Sequence, residues 1–587
     1  MQIVHLTPPG RFPTVIHDPG RWWDVLKGAA GYHCERLSLN YSWWRVVCGA
    51  QVLRALHASL PRLDRWHSRL SLLSKGVDLG GLARGATAAL DSLRDGSTYS
   101  SREAYLDALA PLARFLHTLN AVQSELSVSI DAGPRVKNLE YTDSQALTRY
   151  ARAETFLYRT IELALQDLPR GVDLVTVSIT SPEDLLSALI ACAILRNRDP
   201  ATHICLVDHG YENFSLHMYI ERLQSTRVFD EFFDSVVVSK DDRDHIVPVL
   251  ADLLRRKQPI PKYLTRDNVL FGDQVLKEAA AAVPLVRTFA PEPILWTRLS
   301  KRRCYWSRCT YCTQNSKYAN ERAPTRTEIL ETLDRLESII QQGCRHFIFS
   351  DEALSPSTLR LLAHEIEARN LKFHWACRCK LERAHDAELF KLLGKSGCYE
   401  ILYGLETTSA RILKLMDKYV DGLDEPHLAQ VFREMEAAGI AVHVNLIGGY
   451  PGDTVAETRR SAEFMAHELA ALRSATYVLN SFALLPDTPM ARTPERFGLT
   501  GVTAKGDLAQ ELKFELAPEI AQHTADAAAE IPRLREELDE VLGWHAIAEE
   551  PLRPVAQALY FGSGHGSIFK SSKNNNPFAN PLLQAAG

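Results

Sequence analysis

Nine residues, CYWSRCTYC at positions 304–312, place three cysteines within one short stretch, in the spacing C-x4-C-x2-C. The three cysteines are Cys304, Cys309 and Cys312. Thiolates so placed bind zinc or iron–sulfur clusters. A structural zinc site takes four ligands, usually as two separated pairs, and the nearest further candidates here are Cys344 and His346. A four-iron cluster held by three cysteines keeps one iron open for a substrate, so the spacing favours a cluster over zinc or unrelated core cysteines.

Around this stretch the sequence alternates strand-like and helix-like segments. Strand patterns begin at ILWTRLS (294–300) and continue through HFIFSDEAL, KFHWACRCK, YEILYGLETTS, AVHVNLIGGYPGD and TYVLNSFALLPDTPM. Amphipathic helices lie between them, and one opens with a capping box formed by Thr325 and Glu328. About six strand–helix units fall between residues 294 and 490, a span shorter than the roughly 250 residues of a closed eight-stranded barrel. We therefore predict a partial (β/α)6 TIM-like barrel over residues 291–495, with its chemistry at the C-terminal ends of the strands.

The first half of the chain predicts a second α/β domain. DLVTVSIT (173–180), a helix over SPEDLLSALIACAILRNR and HICLVDHG (203–210) form a strand–helix–strand unit, which implies a parallel sheet with helices on its faces. We expect a Rossmann-like doubly wound domain over residues 1–290, with a Leu- and Ala-rich helical insertion at about residues 45–168. Residues 496–587 are expected to form a small helical C-terminal region that ends in a flexible Gly-, Ser- and Asn-rich tail.

The composition argues against several classes of protein. The 587 residues carry a formal net charge of −5, so no overall attraction to nucleic acid is indicated. The eleven cysteines are mostly scattered singly, unlike the dense frameworks of secreted disulfide proteins, and this favours a reducing cytoplasm. The N-terminus, MQIVHLTPPG, has no signal-peptide pattern, and no apolar run approaches the ~18 residues of a membrane span. We therefore expect a cytoplasmic protein without nucleic-acid or membrane partners.

The cysteine loop, taken with the segments that follow it, resembles the radical S-adenosylmethionine (SAM) enzymes. The usual spacing of that superfamily is C-x3-C-x2-C, and CYWSRCTYC has one extra residue in the first gap. The resemblance covers about residues 290–490, because SDEAL, YGLETTS, AAGIAVHVNLIGGYPGDT and LLPDTPM follow predicted strands where the superfamily has its motifs. Together these motifs are highly specific, although GGYPGD alone is a common kind of turn.

The resemblance implies cofactors, a mechanism and a set of site residues. The three cysteines would hold a [4Fe–4S] cluster, and SAM would bind the open iron through its amino and carboxylate groups. Reductive cleavage of SAM would then release a 5′-deoxyadenosyl radical in a closed, dry cavity. By position, the expected contacts with SAM are Tyr311, Asp351, Glu352, Arg378, Glu406, Gly448 and Gly449. For each of them a structural role, in loop packing, a turn, a helix end or a charge pair, stays open as the alternative. The resemblance identifies no catalytic residue, and the residues expected to belong to the core are Cys377, Cys379 and Cys398.

The N-terminal half is similar, less closely, to the cobalamin-binding domain that precedes many radical SAM cores. The matching segments are MQIVHLTPPG, LVTVSITSPEDLLSALIACAIL and ICLVDHG. The Asp-x-His-x-x-Gly signature that supplies a histidine to cobalt is absent, and His209 stands at the wrong spacing. The resemblance thus leaves two alternatives open. One is a domain that binds cobalamin, which implies methyl transfer, and the other is a scaffold and lid for a cobalamin-free rearrangement, coupling or oxidation.

Substrate and partners follow only from analogy with similarly built proteins. The analogy indicates a natural-product or ribosomally made peptide substrate and an electron donor such as flavodoxin. The basic residues beside the loop form a solvated face, offset cluster charge or dock an acidic donor; they are Arg298, Lys301, Arg302, Arg303 and Arg308. One rival function is a non-catalytic metal-binding or sensor protein, against which the full motif set argues. Another is an RNA-modifying enzyme, which would normally bring a basic RNA-binding domain that the acidic balance here does not show.

Overall fold

The computed structural model describes most of the chain. The described residues are 1–59, 78–123, 125–179, 183–208, 227, 229–237, 243–265, 268, 286–299, 304–315, 324–542 and 552–561. They form two compact units. The first unit contains Met1–Pro293 and Gly506–Leu508, and the second contains Ile294–Lys505 and the described residues of Ala509–Asn576. Within these described ranges, no helix is long and apolar enough to cross a membrane.

The first unit is built on a parallel sheet of six strands. The strands in this part of the chain are β1 (Gln2–Thr7), β2 (Ile16–His17), β3 (His33–Ser38), β4 (Leu126–Ser129), β5 (Gly133–Val136), β6 (Leu174–Ile179), β7 (His203–Asp208), β8 (Ser235–Val237) and β9 (Tyr263–Leu264). The sheet order is β3-β1-β6-β7-β8-β9, and every neighbouring pair is parallel. Counted along the chain, this is the flavodoxin-like order 2-1-3-4-5 with one strand added, so the predicted doubly wound α/β class is confirmed.

Burial on both faces marks the central strands of this sheet. The strand β6, with the sequence LVTVSI, is buried at all six positions, as is typical of strands covered on both faces. The helices in this part of the chain are α1 (Arg21–Gly28), α2 (Leu39–Val47), α3 (Gln51–Ser59), α4 (Leu79–Ser92), α5 (Arg102–Val122), α6 (Ser144–Ala151), α7 (Phe156–Ala164), α8 (Glu183–Arg198) and α9 (Arg243–Arg255). The segments 180–182, 209–226 and 238–242, which follow β6, β7 and β8, lie outside the described residues, and so does His209.

The predicted helical insertion at about residues 45–168 is mostly helical but contains one β-hairpin. The strands β4 and β5 pair antiparallel, with Leu126 opposite Val136. Gly133 has a φ of +68°, and a Cβ at this position would lie 2.2 Å from the carbonyl oxygen of Gly10, so only glycine fits. Strands of four residues are too short to show a clear alternation in the sequence, which is why the sequence does not reveal this hairpin.

The second unit is built on six parallel strands. Its strands are β10 (Ile294–Thr297), β11 (His346–Phe349), β12 (His374–Cys379), β13 (Cys398–Glu406), β14 (Ala441–Gly448), β15 (Ala475–Ser481), β16 (Leu499–Ala504) and β17 (Leu512–Leu516). Its helices are α10 (Arg326–Gln341), α11 (Pro356–Ala368), α12 (Ala387–Lys395), α13 (Ala410–Leu415), α14 (Glu425–Ala437), α15 (Val455–Ala471), α16 (Pro489–Arg492), α17 (Pro518–Leu542) and α18 (Arg553–Ala556). The strands β10 to β15 follow one another in the sheet in chain order, all parallel. This is the predicted partial (β/α)6 barrel, and its carboxyl strand ends share one edge.

Local sequence signals set the starts of the barrel helices. The Thr325 hydroxyl accepts a hydrogen bond from the Glu328 N–H at 3.2 Å, and Glu328 Oε2 accepts one from the Thr325 N–H at 2.8 Å. The predicted capping box is therefore present at the start of α10. Ser355 caps α11 immediately before Pro356, and Thr454 caps α15.

The sequence predicts a small helical C-terminal region. The structure contains the long helix α17 there, but β16 and β17 form an antiparallel hairpin ahead of it. The described chain ends beyond α18, at the amino ends of the barrel strands. Arg553 forms an ion pair with Glu400, near the start of β13, and the exposed side-chain fractions are 8% and 6%. The Ser474 hydroxyl, just before β15, donates to Gln557 Oε1 at 3.0 Å. The final described turn therefore closes the amino end of the barrel, and the predicted flexible tail lies outside the described residues.

Replacing Arg553 with Met should lower the free energy of unfolding by about 3 kcal/mol, because the Glu400 carboxylate would stay buried without its cationic partner. Urea unfolding followed by circular dichroism measures this change. The exposed pair of Arg533 and Glu537 provides the matched control, and Arg533→Met should cost less than about 1 kcal/mol. The double variant Arg553→Met/Glu400→Gln should recover part of the loss, and an unchanged loss would contradict the ion-pair explanation.

Candidate functional site

The cysteine loop lies at the carboxyl end of the barrel sheet. It follows β10, and Cys304 forms an isolated parallel bridge with Ala353 in the segment after β11. Cys309 is buried, whereas Cys304 and Cys312 are half-buried. The loop therefore occupies the edge at which a barrel of this kind carries its chemistry.

A tight turn accommodates the long first gap of the loop. Ser307 has a φ of +43°, and its hydroxyl donates to the carbonyl oxygen of Cys304. In the second gap, the Cys312 N–H donates to the Cys309 carbonyl at 3.3 Å, and the Gln314 N–H donates to the Cys312 Sγ at 3.4 Å. The residue that lengthens the first gap is thus absorbed by a left-handed turn. The backbone N–H aimed at Cys312 Sγ favours a negatively charged sulfur there.

The turn after α13 holds the cysteine loop. The indole N–H of Trp306 donates to the Asp417 carbonyl at 2.8 Å, and the Arg308 guanidinium donates to the Asp417 carboxylate at 2.8 Å. The Thr310 N–H donates to the Met416 carbonyl at 3.0 Å. Asp417 itself has a φ of +52°, a conformation that exposes its carbonyl and carboxylate to the loop. Contacts distant in sequence therefore fix the backbone between the cysteines.

The basic residues beside the loop are only partly described. Lys301, Arg302 and Arg303 lie outside the described residues. Arg308 is exposed, but it is paired with Asp417 and its guanidinium carbon lies 5.0 Å from the ring centre of Trp306. Arg308 therefore helps to hold the cysteine loop in position.

Burial dominates the electrostatics of the three thiols. It raises the pKa of Cys309 to about 11, and it also raises the pKa values of Cys304 and Cys312. After burial, the charge of Cys309 is the next largest influence that raises the pKa of Cys312, so these sulfurs are electrostatically coupled. Thiols with raised pKa values keep their protons until a metal displaces them, and metal binding here should release protons.

The arrangement of sulfur donors bears on which metal group could bind. Among the residues described, no group of three or more His, Cys, Asp or Glu side chains is arranged to hold a single metal ion. A zinc ion needs its donors converged at about 2.0–2.3 Å from one point, whereas each thiolate in a four-iron cluster binds a different iron. The donor chemistry of the loop suits the cluster. The other cysteines near it, Cys377 and Cys379, are buried with their sulfurs 3.8 Å apart, and Cys398 is buried too, so these are core residues.

Glu406 and Lys418 form a buried ion pair next to Tyr311. Lys418 Nζ lies 2.5 Å from Glu406 Oε1 and 3.5 Å from the Tyr311 hydroxyl oxygen. Burial acts to lower the pKa of Lys418, but the Glu406 carboxylate and nearby Cys309 outweigh it and the net shift is upward. The structure thus brings together two predicted SAM contacts, Tyr311 and Glu406. Lys418 contacts both residues. The sequence does not predict this, because most lysines are solvent-exposed and nothing near Lys418 in the sequence marks it as buried.

Glu352 and Arg378 form a second pair at the same edge. Arg378 Nη1 lies 3.6 Å from Glu352 Oε2, and the exposed side-chain fractions are 19% and 12%. Glu352 Oε1 is buried and has no hydrogen-bond partner in the described part of the chain. Asp351 is placed differently, because its Oδ2 accepts the Leu299 N–H at 2.8 Å and so ties the end of β10 to the segment after β11. The role of Asp351 as a SAM contact stays a prediction.

Gly448 and Gly449 lie against the long C-terminal helix α17. A Cβ at Gly449, whose φ is +69°, would lie 2.8 Å from the Cβ of Ala528. A Cβ at Gly448 would lie 3.0 Å from side-chain atoms of Ile531. Helix packing and a turn conformation therefore explain both glycines, and their predicted contact with adenine stays a prediction.

A comparison with protein families identifies the segment that contains this site. Residues 301–465 match the family described as the Radical SAM superfamily. That segment contains the cysteine loop and the two charged pairs just described, so the chain carries a radical SAM domain. Such a domain uses a [4Fe–4S] cluster and SAM, and the three-cysteine donor set at the carboxyl edge fits that cluster. No curated protein matches the sequence of this chain.

Two solved structures illustrate what this chain is similar to. One is the radical SAM methyltransferase TsrM from Kitasatospora setae with tryptophan substrate and the SAM analogue aza-SAM bound. The likeness has a TM-score of 0.51 and 15% identity, and it covers 100% of this chain and 99% of that one. Another is the cobalamin-dependent SAM radical enzyme OxsB with aqua-cobalamin bound, with a TM-score of 0.43 and 14% identity over 66% of this chain and 63% of OxsB. At 15% identity, the likeness to TsrM shows a shared fold and nothing further.

Gly404 is required by the ion pair beside Tyr311. A Cβ at this position would lie 2.7 Å from Glu406 Oε1 and 2.9 Å from Lys418 Nζ. We expect Gly404→Ala to lower the free energy of unfolding by about 1–3 kcal/mol, because the pair must separate or shift. Chemical unfolding measures the change. Gly96→Ala is the control, since a Cβ at Gly96 meets nothing within 4 Å; equal losses in the two variants would refute the steric argument.

Proposed function

We propose that this protein reductively cleaves SAM at a [4Fe–4S] cluster held by Cys304, Cys309 and Cys312, and that it modifies a natural-product or peptide substrate by radical chemistry. One observation carries the proposal: the cysteine loop lies at the carboxyl edge of a partial barrel, inside the segment that matches the radical SAM superfamily. Cys304, Cys309 and Cys312 would hold the cluster, which would supply one electron to the sulfonium of SAM; the bond from sulfur to C5′ would break, giving methionine and a 5′-deoxyadenosyl radical.

Glu352 and Arg378 are suited to bind the amino acid end of SAM. The buried Oε1 of Glu352 is an acceptor without a partner in the described residues, and an ammonium or amino group would satisfy it. The guanidinium of Arg378, 3.6 Å from the other carboxylate oxygen, offers several N–H donors for a carboxylate. The pair therefore presents one acceptor and one donor group to a zwitterion. The guanidinium also lies 5.4 Å from the ring centre of Trp296, which restricts its orientation.

Glu406 and Tyr311 are proposed to contact the nucleoside part of SAM. Glu406 has a φ of +69° and stands at an irregularity in the pairing of β13 with β14. Such strained, bulged positions are over-represented next to active sites. Lys418 donates to Glu406 Oε1 at 2.5 Å and so orients the carboxylate, which can accept hydrogen bonds from ribose hydroxyl groups. The alternative, a purely structural ion pair, would leave SAM affinity unchanged when Glu406 is replaced.

We further propose that the N-terminal domain binds cobalamin and that the reaction is methyl transfer. The order of the sheet reverses between β1 and β6, and open α/β sheets bind ligands at the carboxyl edge of such a switch point. The fold likeness to TsrM, a radical SAM methyltransferase, over the whole chain supports the same proposal. The second candidate is a cobalamin-free radical rearrangement, coupling or oxidation, favoured by the missing Asp-x-His-x-x-Gly signature. Either reaction needs an external electron donor such as flavodoxin.

Replacing Cys309 with Ser should abolish cluster binding, because a hydroxyl is a poor ligand for iron where a thiolate is required. Iron and sulfide would be counted per chain after anaerobic reconstitution, and SAM cleavage would be followed as 5′-deoxyadenosine. The control is Cys34→Ser, at a half-buried cysteine on β3 in the first unit, which should load normally. Four irons in the Cys309→Ser protein, or one zinc in the native protein, would refute the proposal.

Product analysis separates the two reaction types. The protein would be purified anaerobically with cobalamin supplied, then incubated with SAM and a reductant, and its products and bound pigment identified by mass spectrometry. Methyl transfer predicts S-adenosylhomocysteine and bound cobalamin. If 5′-deoxyadenosine forms without S-adenosylhomocysteine, the cobalamin-free reaction is favoured. If the reduced cluster is intact and neither product forms, the enzymatic proposal is weakened.

Glu352→Gln should weaken the binding of SAM about tenfold, or about 1.4 kcal/mol, because a neutral amide replaces the carboxylate that faces the amino group. Equilibrium dialysis of SAM against the reconstituted protein measures the dissociation constant. Glu388→Gln, at an exposed position in the first turn of α12, is the matched control and should bind SAM normally. Equal affinities in the native and Glu352→Gln proteins would assign Glu352 a structural role.

A further inference from the structure

A buried lysine lies against the cysteine loop. Lys380 follows the end of β12, and its side chain is 4% exposed. Its Nζ lies 3.8 Å from the ring centre of Trp306, which stands between Cys304 and Cys309 in the loop. A cation this close to an aromatic face is attracted by the negative charge density of the ring. The buried amine of Lys380 is therefore in direct contact with a residue of the loop.

The lysine and the ring are both held in place. The Trp306 indole N–H donates to the Asp417 carbonyl at 2.8 Å, which fixes the ring. Lys380 Nζ donates to Glu382 Oε1 at 3.3 Å, and the Tyr305 hydroxyl donates to the same oxygen at 2.6 Å. Glu382 is thus shared between Lys380 and a residue of the loop. Burying a charged amine is costly, and this one is stabilised by the contact with Trp306 of the loop, the ion pair with Glu382 and a hydrogen bond to the Leu381 carbonyl at 3.3 Å.

Two buried lysines lie beside the cysteine loop, but their surroundings differ. Lys418 lies next to Tyr311, and Lys380 lies against the ring of Trp306. The carboxylate of Glu406 is the ion-pair partner of Lys418 at 2.5 Å, so it offsets part of the charge of that lysine. The carboxylate of Glu382 is divided between Lys380 and the Tyr305 hydroxyl. Lys380 is therefore the lysine whose carboxylate partner is shared with another donor and lies farther away, at 3.3 Å compared with 2.5 Å for Lys418.

We propose that Lys380 tunes the reduction potential of the cluster, by stabilising the additional negative charge of its reduced state. The inference rests on the proposed function, because it requires a cluster on the three cysteines. One electron from a reductant would enter the cluster, and no bond to the lysine forms or breaks. Lys380 is a positioning residue: it places a positive charge beside the cysteine loop, and cluster potentials depend on the net charge near the sulfurs.

The test is a redox titration of the reconstituted full-length protein, followed by electron paramagnetic resonance, with dithionite as reductant. In Lys380→Met, the ratio of reduced to oxidised cluster at a fixed potential should fall about tenfold, which is about 59 mV for a one-electron couple. Lys380→Arg should restore most of the native value. Glu382→Gln removes the opposing charge and keeps the acceptor for Tyr305, so its potential should shift in the positive direction. Lys414→Met, at an exposed lysine on α13, should leave the potential unchanged.

These outcomes distinguish this inference from the proposed function. A native protein that takes up no cluster would refute the proposed function. A native cluster whose potential is the same in Lys380→Met and in Glu382→Gln would overturn only the role of Lys380. If Lys380→Met takes up no cluster, Glu382→Gln decides alone, because its predicted shift has the opposite sign and does not require loss of the lysine. A shift in Lys414→Met as large as that in Lys380→Met would also overturn the inference, because it would show a nonspecific effect of surface charge.

Discussion

The cysteine loop depends on one turn that lies far along the chain. The bond from the Trp306 indole to Asp417 spans 111 residues, and it is accompanied by the Arg308 ion pair and a backbone bond from Thr310. A loop of this length, with a left-handed residue at Ser307, has no helix or strand of its own to hold it. The barrel strands up to β13 must therefore be assembled before the three sulfurs have fixed positions. The geometry of the metal site is in this sense a property of the whole second unit.

Several buried charged pairs lie at the carboxyl edge of the barrel, in addition to the pair of Arg553 and Glu400 at its amino end. Three of them surround the loop and the neighbouring strand ends, and they are Lys418 with Glu406, Lys380 with Glu382, and Arg378 with Glu352. Buried ion pairs contribute little net stability compared with well-packed apolar residues. Their presence at one edge is better explained by what that edge binds. A cofactor with cationic and anionic groups, and a cluster whose charge changes, both need fixed charges that do not have to reorganise.

Much of the fold could be predicted because short, local sequence patterns determine many of its helices and strands. The capping box at Thr325, the proline after Ser355 and the Val- and Ile-containing strand β6 are each recognisable within a few residues, and the structure contains all three features. The cysteine spacing likewise marks the loop itself. The hairpin of β4 and β5 could not be predicted, because its strands have four residues each and its turn glycine is required by a distant backbone atom of Gly10.

The same distinction applies to the site. Glu352 and Arg378 could be placed from their positions at strand ends, but their mutual contact follows from the parallel sheet. Lys380 and Lys418 give no signal, since burial and pairing of a lysine depend on residues elsewhere in the chain. For Gly448 and Gly449 the sequence suggested a ligand or a turn, and the structure shows contact with α17, which begins about seventy residues later. Contacts of that range have no local pattern.

The position of the final described turn has a consequence for how the polypeptide folds as it is made. Glu400 leaves the ribosome 153 residues before its partner Arg553. At about 5–20 residues per second, that interval lasts roughly 8 to 30 s. During this interval the Glu400 carboxylate must remain hydrated, so the amino end of the nascent barrel stays accessible to water. Completion of this unit is therefore a late step, reached only when the segment around Arg553 has been synthesised and can fold back.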